Sequence, residues 1–131
     1  LQRVDGASVL QVDFRITGPD QVVIKVAGAR FTRFPHYYSG EPPAGTRVAM
    51  VGNPEGATNQ YREGYVTGTH EGFILIDAQL GHGDSGSGIF TRKGELIGTA
   101  SSYFSAEGHT PHFRLLTVSP VERIADDIGG W

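Results

Sequence analysis

The chain has no cysteine, one methionine and one tryptophan in 131 residues. Without cysteine there is no disulfide framework and no thiolate metal site, and the redox compartment stays undetermined. No run approaches 18 apolar residues, so the sequence holds no hydrophobic stretch long enough for a membrane-spanning helix. The N-terminus lacks the charged-then-apolar layout of a secretion signal. A basic excess is missing too. Eleven Lys and Arg stand against 14 Asp and Glu, and the formal net charge is −3. The charges are scattered, so the electrostatic footprint of a nucleic-acid binder is absent. There is no internal repeat and no low-complexity tract. The expected partners therefore include neither nucleic acid nor membrane.

What the chain does have is 19 Gly, 7 Pro and 38% hydrophobic residues, arranged as short apolar runs broken by turns. That pattern predicts an all-β domain, and the length suffices for one modest core. Leu10, Val12, Phe14 and Ile16 alternate with polar residues, which predicts a half-buried strand over 9–16. A turn at Thr17-Gly18-Pro19-Asp20 leads into Val22–Val26, with Val22, Ile24 and Val26 inward. Residues 27–45 are rich in Gly, Pro and aromatics and predict a connection packed against a body. Further strands are expected at Thr46–Val51, Gln60–His70, Phe73–Ile76, Ser87–Thr91, Glu95–Phe104 and His112–Val118. Gly64 and Gly68 suit bulges or sharp bends within the long strand. One helix is expected at Pro120–Ile128. Ser119 would be its N-cap and Glu122 would complete a capping box, with Val121, Ile124, Ala125 and Ile128 on one face.

The chemistry concentrates in Gly81-His82-Gly83-Asp84-Ser85-Gly86-Ser87-Gly88, directly after the apolar strand. Three motifs compete there. Gly81, Gly83 and Gly86 fit the dinucleotide pattern GxGxxG, but that motif must open a helix, and a hairpin pattern around Arg92-Lys93-Gly94 follows instead. The hydrolase elbow GxSxG fails because position 87 is Ser and again no helix follows. The third is Gly83-Asp84-Ser85-Gly86-Ser87, in which Ser85 would be a nucleophile. A glycine before such a serine leaves room for two backbone donors to approach a developing oxyanion. A glycine-rich hairpin loop without chemistry is the plain alternative. Asp20, taken alone, is ordinary turn chemistry.

Taken together, these pieces resemble the HtrA-type branch of the trypsin-like, chymotrypsin-fold serine proteases. Gly83–Ser87 resembles the nucleophile segment, and Gly18-Pro19-Asp20-Gln21-Val22-Val23-Ile24-Lys25-Val26 resembles the family's Asp followed by an apolar strand. Gly45–Val48 and Val51–Pro54 resemble the opening strand of the second barrel. Ile76-Asp77-Ala78, Lys93–Gly98 and the final strand with its helix match in the same order. The resemblance implies an all-β double barrel, the second complete and the first partial, with a C-terminal helix. Residues 1–32 would be the last strands of the N-terminal barrel and 33–45 the inter-barrel connection. The C-terminal barrel would occupy 46–131, with its helix at 120–128. It also implies peptide-bond hydrolysis through an acyl-enzyme on Ser85. Asp20 would be the triad aspartate, and the Gly83 and Ser85 N–H groups the oxyanion hole. By analogy Gln79, Leu80, His82, Ser101, Ser102 and Tyr103 would line the substrate cleft, with an uncharged pocket and no preference for Lys or Arg. Neither a metal nor another cofactor is called for, and the expected partner is a protein or peptide substrate.

Two departures stand out. The family's catalytic histidine precedes the aspartate, yet none of the 19 residues before Asp20 is histidine. His36, His70, His82, His109 and His112 all follow it, and none is expected to act as the base. The expectation is a portion of a longer protease whose upstream segment carries the histidine and remains a partner. A catalytically inert pseudoprotease, serving as a peptide-binding or structural and assembly module, is the rival. The other departure is Asp84. Trypsin-like enzymes pair an aspartate here with a newly cut N-terminal amine, whereas HtrA-type members usually carry Asn. Here a hydrogen-bonded turn role is expected, with no partner identifiable from sequence.

Overall fold

In the computed structural model the described residues are 11–16, 20–26, 32–104 and 115–121. They contain eight strands: β1 (Gln11–Ile16), β2 (Val22–Val26), β3 (Arg47–Gly52), β4 (Gln60–His70), β5 (Phe73–Asp77), β6 (Gly88–Thr91), β7 (Leu96–Phe104) and β8 (Leu115–Pro120). Strands β3 to β8 close into an antiparallel barrel in the order β3-β4-β5-β8-β7-β6, and β1 and β2 form a separate two-stranded sheet. Closure removes the unpaired edges that an open sheet of this length would present.

The barrel follows the period-two pattern. Val48, Met50 and Gly52 of β3 point inward, as do Gly64 and Val66 of β4. β5 is buried at three successive positions, Ile74, Leu75 and Ile76. Val48, Met50, Val66, Ile74 and Ile76 meet Ile89, Ile97, Ala100, Leu116 and Val118 in one core, with Tyr38, Ala78 and Leu80 packed against it. Glu71 and Gly72, both at positive φ, make the two-residue turn between His70 and Phe73. The connection over 32–46 is bound to the barrel. His36 O accepts from Leu96 N at 2.8 Å, Tyr38 N donates to Leu96 O at 2.9 Å, and Gly45 N donates to Val66 O at 2.7 Å.

Some expectations need correction. Gly68 does sit at a register shift in β4, but Gly64 marks a close approach rather than a bulge. Ser119 and Pro120, expected to cap and open a helix, belong to β8 and pair with Thr99 and Gly98. Proline is tolerated there because the next donor toward β7 is Val121 N, bonded to Ile97 O at 2.9 Å, while the β5 ladder ends at Ile74 and Val118. The described residues contain no α-helix, and 122–128 lie outside them. Ile16 and Val22, expected inward, face each other across the β1–β2 sheet and are 76% and 52% exposed. Two strands alone cannot bury an apolar face.

Candidate active site

The segment from Ala78 to Ser87 leaves the end of β5 and re-enters the barrel at β6. It is held by its own backbone. Asp84 N donates to Gly81 O at 3.2 Å and Ser87 N to Asp84 O at 3.0 Å. Two bonds then stitch it to β7, Gly86 N to Ala100 O and Ala100 N to Ser87 O, both 2.8 Å. Ser85 is left exposed at the top of this turn. Gly83 has φ +101°, and a Cβ on it would stand 2.4 Å from Asn53 O, so both conformation and space demand glycine. Neither the Gly83 nor the Ser85 N–H is engaged in a hydrogen bond among the described residues.

Ser85 Oγ donates to Ser101 O at 3.2 Å. Ser101 Oγ donates to Asp20 Oδ2 at 2.5 Å. One serine on β7 therefore links two residues that lie 16 and 81 positions away in sequence. Asp20 reaches this point because the β1–β2 sheet docks on the barrel through its neighbour Gln21, whose Nε2 donates to Ser119 O at 2.8 Å and Thr99 Oγ1 at 3.3 Å. Asp20 itself occupies the left-handed region, φ 52°, in the turn before β2.

The other expected cleft residues divide. Gln79, Leu80 and Tyr103 line one open groove of about 720 Å³. Its remaining walls include Glu55, Glu63 and Asp77, carboxylates that sequence alone did not bring to the site. Ser102 faces β8: its N–H donates to Thr117 Oγ1 at 3.0 Å, and Thr117 Oγ1 donates back to Ser102 O at 2.9 Å. These bonds compensate the ladder broken by the register shift between Ala100 and Tyr103. His82 is tied through its main chain to Glu55, which donates its N–H to His82 O at 2.7 Å and accepts from His82 N at 3.1 Å. No hydrogen bond joins the His82 ring to Ser85 or Asp20 among the described residues.

Asp84 has a partner after all. Its carboxylate is fully buried and takes a bidentate pair from Arg62, Nη1 to Oδ2 at 2.6 Å and Nη2 to Oδ1 at 2.7 Å. Gly81 N adds a third donor at 2.7 Å. The Arg62 hydrogen bonds hold the Asp84 carboxyl below its ordinary value against the opposing effect of burial, and Asp84 in turn raises Arg62. A sequence signal existed. Arg62 shares a strand face with Gly64 and Val66, and a cation on an inward face needs a buried anion.

A pH dependence follows. The folded state binds the Asp84 proton more weakly than the unfolded chain does. The stability from this group is therefore complete above the ordinary aspartate value, about pH 4, and drains as pH falls through the lower folded value. Urea midpoints measured from pH 7 to pH 2 should stay level on this account until about pH 4 and then drop. In Asp84→Asn the acid drop should be shallower, leaving the part from exposed groups such as Glu63, which Arg47 and Tyr61 hold low.

Against this geometry, a model of the trypsin-like peptidase domain matches residues 2–98. The chain belongs to this trypsin-like peptidase family. A probable periplasmic serine endoprotease, DegP-like, of Brucella suis biovar 1 is 36% identical over 72 residues, covering 49% of this chain and 14% of that protein. A relative with the same description in Pseudomonas putida F1 is 28% identical over 116 residues, covering 81% of this chain and 24% of that protein. Those alignments span a quarter or less of the relatives' length. Among solved structures, an inactive serine-to-alanine mutant of Rv3671c from M. tuberculosis H37Rv superposes with a TM-score of 0.60 at 18% identity, over 93% of this chain and 62% of that one. That likeness is one of fold. As a trypsin-like peptidase domain the chain is all-β, and its described residues form one closed six-stranded barrel and a separate two-stranded sheet.

Proposed function

We propose that this chain is part of the catalytic domain of a serine endopeptidase, with Ser85 as nucleophile. The observation that carries the reading is the convergence of Asp20 and Ser85 on Ser101. In this mechanism Ser85 Oγ attacks the peptide carbonyl carbon while a histidine takes its proton. The same imidazolium then protonates the leaving amine, and water releases the acyl group by the reverse sequence. Asp20 orients the imidazole and stabilises its charged form. The Gly83 and Ser85 N–H groups receive the oxyanion.

The histidine is supplied by a segment upstream of Asp20. Residues 1–32 are then the last strands of a first barrel, joined by 33–45 to the second barrel of 46–131. The exposure of Ile16 and Val22 supports this, since further strands laid on the β1–β2 sheet would cover them. The open groove at Gln79, Leu80 and Tyr103 is the place for a substrate side chain.

The test is labelling with a fluorophosphonate probe after the chain is joined to a histidine-bearing upstream segment. Label is expected on Ser85 and should vanish in Ser85→Ala. A folded reconstitution that never labels would assign the chain instead to an inert module that binds peptide without cleaving it.

A further inference from the structure

We propose that Arg62 is a positioning residue that sets the oxyanion turn from within the barrel. The proposal rests on the assignment of Ser85 and Gly83 above.

Asp84 lies between the two residues whose N–H groups would hold the oxyanion. Wherever its carboxylate is fixed, the peptide planes on either side are fixed with it. Arg62 and Gly81 are the principal donors that fix it, with a backbone bond from Asn53 beside them. Both Arg62 Nη atoms form a fork onto Oδ1 and Oδ2, and Gly81 N closes the turn onto Oδ2. Arg62 Nη1 also donates to Gln79 O at 3.2 Å, so one guanidinium grips the segment at both ends. A planar fork matches a carboxylate in one orientation, which a single ammonium cannot impose.

The surroundings are cut to fit the pair. A Cβ on Gly52 of β3 would fall 2.3 Å from Asp84 Oδ1, 2.9 Å from Ser87 Oγ and 3.0 Å from Arg62 Nη2. The space a side chain would take at position 52 is the space the ion pair fills. Arg62 itself stands in β4 opposite Met50, whose side chain is in the core. The cation therefore arrives when the barrel folds. Its charge persists at every working pH, because a guanidinium does not deprotonate in proteins.

The test compares wild type, Arg62→Ala and Arg62→Lys by amide hydrogen exchange in the chain as it stands. Arg62→Ala should speed exchange at residues 81–86 by about tenfold or more beyond whatever rise the lower global stability brings to Ile74–Ile76 and Leu116–Val118. Arg62→Lys should fall between the two. In the reconstituted protein, Arg62→Ala should slow fluorophosphonate labelling of Ser85 by roughly 10²-fold, the scale of a lost oxyanion donor. Unchanged exchange at 81–86, or a rise shared equally by the core strands, overturns the proposal. Should Arg62→Ala not fold, Arg62→Lys decides: faster exchange confined to 81–86 supports it, and wild-type exchange refutes it. Failure of the wild type to label removes Ser85 as nucleophile but leaves the exchange result to judge Arg62.

Discussion

Asp84→Ala should lower the unfolding free energy of the chain by about 3 kcal/mol or more, the cost of stripping one partner from a buried ion pair. Asp84 is fully buried and Arg62 only 14% exposed, so the orphaned guanidinium has little water to turn to. Its Nε is already buried with no hydrogen-bond partner among the described residues, which leaves the two Nη donors as the groups that must be satisfied. Urea denaturation is the measurement, with the midpoint shifting at constant slope. A change below about 1 kcal/mol would mean the pair is exposed to solvent in practice. A second comparison separates charge from shape. Arg62→Met combined with Asp84→Ala should cost clearly less than the two single changes summed, because the double variant buries no unpaired charge. Additive costs would contradict the pairing.

Gly64→Ala is the other change with a large expected effect, about 3 kcal/mol, at the upper end of what overpacking usually costs. A Cβ at position 64 would lie 2.1 Å from Asp77 O, 2.9 Å from Asp77 C and 2.8 Å from the Ala78 methyl. The nearest atom is backbone, so no rotamer relieves the clash. Gly64 pairs with Val48 on one side, and its neighbour Tyr65 pairs with Asp77 on the other. Displacing Asp77 would pull on the start of the segment that carries Ser85. Thermal unfolding should show the loss directly, and Gly64→Val should prevent folding. Wild-type stability in Gly64→Ala would show that β4 and β5 can separate there without cost.

Much of this molecule is legible in its residues one after another. Alternation and short apolar runs bounded by turns placed the eight strands of the described residues to within a few residues, since both are local properties. The Glu71-Gly72 turn and the glycine-rich segment before β6 were equally local. Long-range consequences were harder to see. Gly64 looked like a bulge because a strand glycine gives no hint of which backbone will press on it. Ser119 and Pro120 carried a good helix-start pattern, but pairing with Thr99 and Gly98 extended β8 through them. Tertiary hydrogen bonds outweighed the local propensity.

The candidate site divides along the same line. Residue types and their order within Gly83–Ser87 were enough to raise Ser85 and the two N–H donors as candidates, because those groups are adjacent in the chain. That Asp20 meets Ser101, that Ser101 also meets Ser85, and that Arg62 answers Asp84 required the fold. Each of those contacts joins residues 16 to 81 positions apart, and only closure of the barrel and docking of the β1–β2 sheet bring them within hydrogen-bond reach.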